Sequence, residues 1–389
     1  MMSSDNLIAA LNLEVELSGS LDLEVELSGS LDLEVELLAA LNKEVELIGH
    51  VGIAFHTDRW LLTEGIWDDT GIWDDDAFWN DGVDLGVDGK YQIACVYGGR
   101  VYMSTDHGLS FAEAAPAGVG NRNWSLVAIS NDIAVAGVLN GRLYLHDGSW
   151  SEIQPAGDVS RGWNVSAIEG SKIAVGSVLE GGRLYLSINS GSTWSEIQPY
   201  GNNDHDYGAV IIDDGDVFVR RSGLSVPQLS TNNGGSWMDV NPGGGGSKRW
   251  RAMAKKGNDI VLGIGDSAQG RLYLSENKGV NWSEIQPAGD VDKYWTNAFI
   301  DGDMILVTDE TKVYRSLNKG STWTEANDFE ITGSQDMHFS ASHGGRFMLC
   351  GVFGGRLHKS NNYGADWYEI QPVGDINRNW IGTSINRTI

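Results

Sequence analysis

Residues 182–199, GRLYLSINSGSTWSEIQP, and residues 270–291, GRLYLSENKGVNWSEIQPAGDV, are two copies of one unit. Each holds a short alternating apolar run, a turn around a central glycine, and a second run opening on tryptophan. The aromatic after that glycine recurs at Phe111, Trp150, Trp194, Trp237, Trp282, Trp323 and Trp367, with spacings of 39, 44, 43, 45, 41 and 44. A second series opens the next apolar run in each repeat: Trp124, Trp163, Tyr207, Trp250, Trp295, Met337 and Trp380. Each unit therefore reads as four short strands, for example Trp163–Ile168, Ile173–Val178, Arg183–Ser187 and Trp194–Ile197. Four strands in about 40–45 residues is the signature of a β-propeller blade.

The ends of the repeat region test the count. The last repeat stops after its first-strand pattern, Trp380–Asn386, while Tyr91–Tyr97, Arg100–Ser104 and Phe111–Ala115 supply three strands with no first strand before them. Joining the two fragments completes a seventh blade and removes the open sheet edges. The expectation is an all-β chain with a seven-bladed propeller over residues 91–389.

Two other repeats precede it. A period of ten runs from Leu11 through LNLEVELSGS, LDLEVELSGS, LDLEVELLAA and LNKEVELIGH. Leu21, Leu23, Val25 and Leu27 alternate with Glu24 and Glu26, as in a half-buried strand, and Ser-Gly-Ser supplies the turns. Such strands cannot cover their own apolar face, so residues 1–60 are expected to associate as a homo-oligomer and to attach to other proteins. A period of six follows in GIWDDT, GIWDDD and AFWNDG (65–82). This Trp-Asp arm, placed at residues 61–90, lacks the ligand spacing of an EF-hand and reads as an acidic docking segment, not a metal site.

The composition agrees. The chain of 389 residues carries a formal charge of −26 with 51 glycines and 15 tryptophans. Residues 1–90 hold 21 of the 53 acids but only Lys43, Arg59 and Lys90 as bases. That balance argues against nucleic acid as a partner. Cys95 and Cys350 sit in apolar runs and read as core residues. The first ten residues have no basic stretch leading into a long apolar run, and no stretch nears ~18 apolar residues. Neither a signal peptide nor membrane insertion is expected.

The turn motif Ser-x-Asp-x-Gly-x-x-Trp resembles the Asp-box of the sialidase-like (BNR-repeat) propellers. It is also similar to the propellers of photosystem II assembly factors and xyloglucanases. It occurs as STDHGLSF (104–111), SINSGSTW (187–194), STNNGGSW (230–237), SENKGVNW (275–282), SLNKGSTW (316–323) and SNNYGADW (360–367), and is cut to HDGSW (146–150) in the second blade. Only Asp106 keeps the acid; Asn, which can also bond backbone amides in a tight turn, stands elsewhere. The resemblance implies a fold rather than an activity. The first arginine of the sialidase triad lies in a Phe-Arg-Ile-Pro-like segment, which is absent here. Tyr144, Tyr185 and Tyr273 recur as blade residues, and no cofactor, metal or catalytic set is expected.

The loops entering the first strands stand out instead. A basic residue or histidine precedes the aromatic in six blades, as Arg122 before Trp124, Arg161 before Trp163, Arg249 before Trp250, Lys293 before Trp295, Arg378 before Trp380, and His205 before Tyr207. The loops joining second to third strands share that face and hold Arg100, Arg142, Arg183, Arg271 and Arg356. One reading makes this a basic, aromatic surface for a glycan, with rings stacking on sugars and arginines orienting acidic groups. The other has these residues lock adjacent blades, with aspartates such as Asp158, Asp290 and Asp375 as their partners.

An oligomerising β repeat, an acidic arm and a distal propeller together resemble a phage virion appendage. The expected function is that of a tail-fibre, tail-tip or capsid-decorating protein, made in the host cytoplasm and released by lysis, that binds a host-surface glycan and joins other virion proteins through its N-terminal segment. The alternatives are a cellular scaffolding propeller that holds a protein partner and, more weakly, a glycan hydrolase.

Overall fold

The computed structural model describes residues 89–178, 181–242, 246–266, 270–309, 311–326, 337–341 and 345–385, and the strands Val51–His56 and Arg59–Glu64. The ten-residue repeat and the Trp-Asp repeats lie outside the described residues. The chain divides into two compact units, Met1–Leu85 and Gly86–Ile389. In the first, Val51–His56 and Arg59–Glu64 pair antiparallel, with Val51 opposite Glu64 and His56 opposite Arg59.

The second unit is a propeller of seven four-stranded antiparallel blades. Blade 2 runs Arg122–Ser130, Ile133–Gly141, Leu143–Asp147 and Trp150–Ile153; blade 3 follows as Arg161–Glu169, Lys172–Val178, Leu184–Ser187 and Ser195–Ile197. Blades 4, 5, 6 and 7 begin with the inner strands Tyr207–Asp213, Trp250–Lys256, Asn297–Asp301 and Met337–Ala341. Blade 1 is composite. Its outer three strands, Gln92–Gly99, Val101–Ser104 and Ala112–Ala114, come from the start of the unit, and its inner strand is Trp380–Ile385. Gln92 pairs with Ile385 and Val96 with Trp380, so the two ends of the propeller close one sheet.

The apolar core is distributed. Seven clusters of buried side chains lie one at each seam, for example Val165, Leu184 and Leu186 of blade 3 against Tyr207, Val217 and Val219 of blade 4. A second strand is therefore covered on both faces, which is why Ile173–Val178 reads as a continuous apolar run rather than an alternating one. Cys95 and Cys350 belong to two of these clusters, and burial pushes both thiols well above their usual pKa.

At the seam between blades 4 and 5 a buried ionic cluster adds to the apolar one. Lys255, 1% exposed, lies 3.1 Å from Asp213 and 3.0 Å from Asp216, and Lys256 and Lys278 approach the same two carboxylates at 3.2 and 2.8 Å. The glycine-centred turns repeat one geometry. In blade 3 the Ser187 hydroxyl accepts from the Gly191 amide at 2.9 Å, and Asn189 Oδ1 accepts from the Thr193 amide at 2.9 Å. An amide oxygen serves this turn as a carboxylate oxygen does at Asp106.

Candidate ligand-binding site

The repeated aromatics do not form a surface. Trp124, Trp163, Trp250, Trp295 and Trp380 are only 1–2% exposed. Each packs on a tyrosine of the third strand of its own blade, as Trp163 does on Tyr185 with centroids 6.1 Å apart and Trp380 on Tyr102 at 5.8 Å. The second strand of the preceding blade closes the other side: a Cβ on Gly351 would stand 2.8 Å from Trp380, and one on Gly263 would stand 2.9 Å from Trp295. The expectation that these rings stack on sugars is corrected here. Their faces are spent on the seams.

The basic residue ahead of each aromatic has a backbone duty. Arg122 pairs with Gly99, Arg161 with Gly141, and Arg378 bridges to Gly355, in each case the turn of the preceding blade. The Lys293 amide donates to Gly270 O at 3.0 Å, and the His205 amide to Gly182 O at 2.8 Å. Glycine is required at these contacts, since a Cβ on Gly182 or Gly270 would strike the carbonyl of His205 or Lys293. Three of the predicted basic side chains are engaged locally as well. Arg122 donates to Ala117 O at 3.0 Å, Arg161 donates to Gly181 O, and Lys293 pairs with Asp309 at 2.9 Å.

The second arginine series is neutralised in the same repetitive way. Arg183 bridges Glu196 of its own blade at 3.1 Å and Asp204 of the next loop at 2.8 Å. Arg271 does the same with Glu284 (3.2 Å), Asp290 (2.6 Å) and Asp292 (2.8 Å). Arg142 reaches Asp158 at 2.6 Å and Arg356 reaches Asp375 at 2.5 Å. The reading that has arginines and GD aspartates clamp adjacent blades describes this geometry.

A site remains where the repeat breaks. The inner strands enclose a channel of 670 Å³, lined from blade to blade by Ser125, Asn164, Gly208, Arg251 and Thr296, the residues that follow the buried aromatics. The register slips at this position between Trp124 and Leu126, Trp163 and Val165, Tyr207 and Ala209, and Trp250 and Ala252. A bulge of this kind re-aims one side chain. Here it puts the residue after the aromatic on the channel wall while the ring stays in the seam.

Three arginines, Arg220, Arg249 and Arg251, line this channel, and no carboxylate does so among the described residues. Arg220 occupies space left by Gly208, where a Cβ would collide with its guanidinium. Burial, and then the charge of Arg251, lower the Arg220 pKa to about 10, so it stays charged at neutral pH. Arg251 donates to the Tyr294 hydroxyl at 2.9 Å. Arg220 Nε and Ser166 Oγ, both on the channel wall, have no hydrogen-bond partner among the described residues. Arg249 and Arg378 are exposed, and Arg249 with Trp250 is the one predicted pair that reaches the channel. The sequence reading missed Arg220 and Arg251. Their signal was the pair of charges in VFVRRSG and WRAM, where apolar strands otherwise run uninterrupted. Like charges crowded into a concavity favour an anion, which accepts their hydrogen bonds and relieves their repulsion.

No family model matches the chain, and no curated protein matches it. Solved structures do. The propeller is similar to a protein of unknown function from Desulfotomaculum acetoxidans, with a TM-score of 0.54 and 13% identity over 77% of this chain and 100% of that one. It is also similar to the GH74 xyloglucanase from Xanthomonas campestris, with a TM-score of 0.54 and 16% identity over 77% of this chain; the match spans 53% of the enzyme. A third likeness is to a chain of a mitotic checkpoint complex, with a TM-score of 0.52 and 13% identity over 68% of this chain and 84% of that one. At these identities the likeness is one of fold. The chain carries a β-propeller with a cationic channel.

Proposed function

We propose that the protein is a recognition module whose propeller holds an anionic ligand at the channel mouth, and that it serves as a phage virion appendage binding an acidic host-surface glycan. The observation that supports this most is the carboxylate-free lining with Arg220, Arg249 and Arg251 in a chain of charge −26. A pair of guanidinium groups suits the carboxylates or phosphates of a surface polysaccharide. The ten-residue Leu/Val–Glu repeat and the Trp-Asp arm supply the attachment to other virion proteins and the oligomer. Screening the full chain against arrayed glycans tests the ligand. Binding to acidic glycans, weakened in Arg251→Gln, is the expected result; binding confined to neutral glycans, or none, overturns it. Antibody labelling of virions in electron micrographs tests the location separately, and label on cellular complexes alone removes the virion assignment.

The second reading, a scaffold for a protein partner, draws on the same face. The loops entering first strands expose Val119 (88%), Val159, Val291 and Ile376 beside the basic residues. An acidic protein segment with apolar anchors fits such a surface. Capture of an acidic protein, with no glycan bound, would favour it.

A further inference from the structure

The turn between third and fourth strands does more than reverse the chain; it fills the outer corner of a seam. A Cβ on Gly191, Gly234, Gly279 or Gly320 would stand 2.8, 2.6, 3.0 or 3.2 Å from Leu145, Ile197, Val240 or Ile285 of the preceding blade. Two of these turns add charge to the contact: Lys278 pairs with Asp216 at 2.8 Å and Lys319 with Asp259 at 2.9 Å. Blade 2 differs. Its turn is HDGSW in place of an eight-residue motif, so the corner between blades 1 and 2 goes unfilled.

A cavity of 310 Å³ opens there. Tyr91 and Met103 give it an apolar wall, and Ser110, Glu113, Asp132 and His146 give it polar groups. The polar groups are mostly acceptors. His146 Nδ1 lies 3.0 Å from the Asp132 carbonyl, which can only accept, so Nδ1 donates, and in the Nδ1–H tautomer Nε2 is an acceptor. The Asp132 carboxylate has no hydrogen-bond or ion-pair partner among the described residues. Glu113 is already neutralised by Arg100 at 2.7 Å, which leaves it acceptor capacity without a second free negative charge. A complementary ligand brings several hydroxyl donors on one side and an apolar face on the other.

We propose that this notch is a binding site for an uncharged pyranose ring, whose hydroxyls donate to Asp132 and Glu113 while its apolar face lies against Met103 and Tyr91. Small sites of this kind combine an apolar wall with a few convergent polar groups. The notch opens beside the turns between first and second and between third and fourth strands, whereas Arg220 lies near the end of the second strand Asp216–Arg221 and Arg249 in the loop entering the strand Trp250–Lys256, at the other face. It therefore goes beyond the channel reading, and either can fail without the other.

The experiment is saturation-transfer NMR on the full chain with methyl glycosides of glucose, galactose, mannose and N-acetylglucosamine, and with glucosamine as a cationic control. Transfer to at least one neutral glycoside is expected, with affinity about tenfold lower in Asp132→Asn and in His146→Ala. Replacing residues 146–150 by SINSGSTW should fill the notch and abolish transfer while leaving anion binding at the channel unchanged. If that replacement does not fold, the two point variants, at surface positions, decide. No transfer from any neutral glycoside, transfer from glucosamine alone, or transfer that survives the filled turn or both point variants overturns the site.

Discussion

Two sets of arginines share one face of the propeller and behave in opposite ways. Arg142, Arg183, Arg271 and Arg356 recur blade after blade, and each is bonded to a glutamate of its own blade and an aspartate of the next loop. Arg220 and Arg251 recur nowhere, and Arg249 stands one residue nearer its aromatic than Arg122, Arg161, Lys293 and Arg378 do; these three line a channel without a described carboxylate. In a ring of similar units, a residue that repeats meets the same neighbour each time and is explained by the seam. A residue that breaks the repeat has no such explanation. The same contrast separates the buried tryptophans from the bulge residues beside them.

The largest expected effect lies on the repeating side. Trp163→Ala removes a ring buried between Tyr185 and the neighbouring blade and should cost about 3–5 kcal/mol, measured by urea unfolding. A loss below about 1 kcal/mol would mean that the repeated aromatics are not seam residues, and the contrast would fail at its strongest point.

The ionic seam comes next. Burial works to raise the Asp213 pKa, but the charges of Lys255 and Lys256 outweigh it and hold the carboxyl below its usual value. A carboxylate with a depressed folded pKa adds stability above its unfolded pKa, about 3.9, and that contribution disappears as pH falls through the folded value. Asp213→Asn should cost about 3 kcal/mol at neutral pH, the lower end for breaking a buried pair. The gap in Tm between wild type and variant should shrink as pH is lowered below about 4. A gap that stays constant down to pH 2 would show that the seam does not depend on this charge.

The exposed clamps are worth less. Arg183→Ala should cost no more than about 1 kcal/mol, because its partners are solvated and salt screens the attraction. Anion binding at the channel should not change. A tenfold loss of anion affinity in this variant would move the site outward to the ring of arginines and undo the contrast from the other side.

The sequence made the two sets unequally visible. Repetition exposed the blades, and the unmatched strand patterns at Tyr91–Tyr97 and Trp380–Asn386 exposed the closure. The same repetition drew attention to Arg161–Trp163 and its equivalents, whose regularity comes from backbone pairing with the glycine turns of the preceding blade. The channel residues were hidden for a local reason. A bulge reverses the alternation that assigns strand residues to faces, so Arg251 cannot be placed on the channel wall from the pattern of Trp250–Lys256 alone. Arg220 was hidden because its room comes from the missing side chain of Gly208, on the neighbouring inner strand.

The smallest expected effect on stability is the one that matters most for the contrast. Arg249 is exposed, and its side chain makes no ion pair or hydrogen bond among the described residues, so Arg249→Ala should change unfolding free energy by no more than about 0.5 kcal/mol. Its charge nevertheless adds to the field of Arg220 and Arg251 at the channel mouth. Binding of an acidic oligosaccharide, followed by calorimetry at low salt, should weaken about tenfold, equal to about 1.4 kcal/mol of binding free energy. The difference between wild type and variant should narrow as salt rises toward 1 M, where the Debye length falls to about 3 Å. A variant that is measurably less stable yet binds the anion as well as wild type would place Arg249 among the blade clamps. A loss of binding with no change in stability is the pattern that a functional break in the repeat requires.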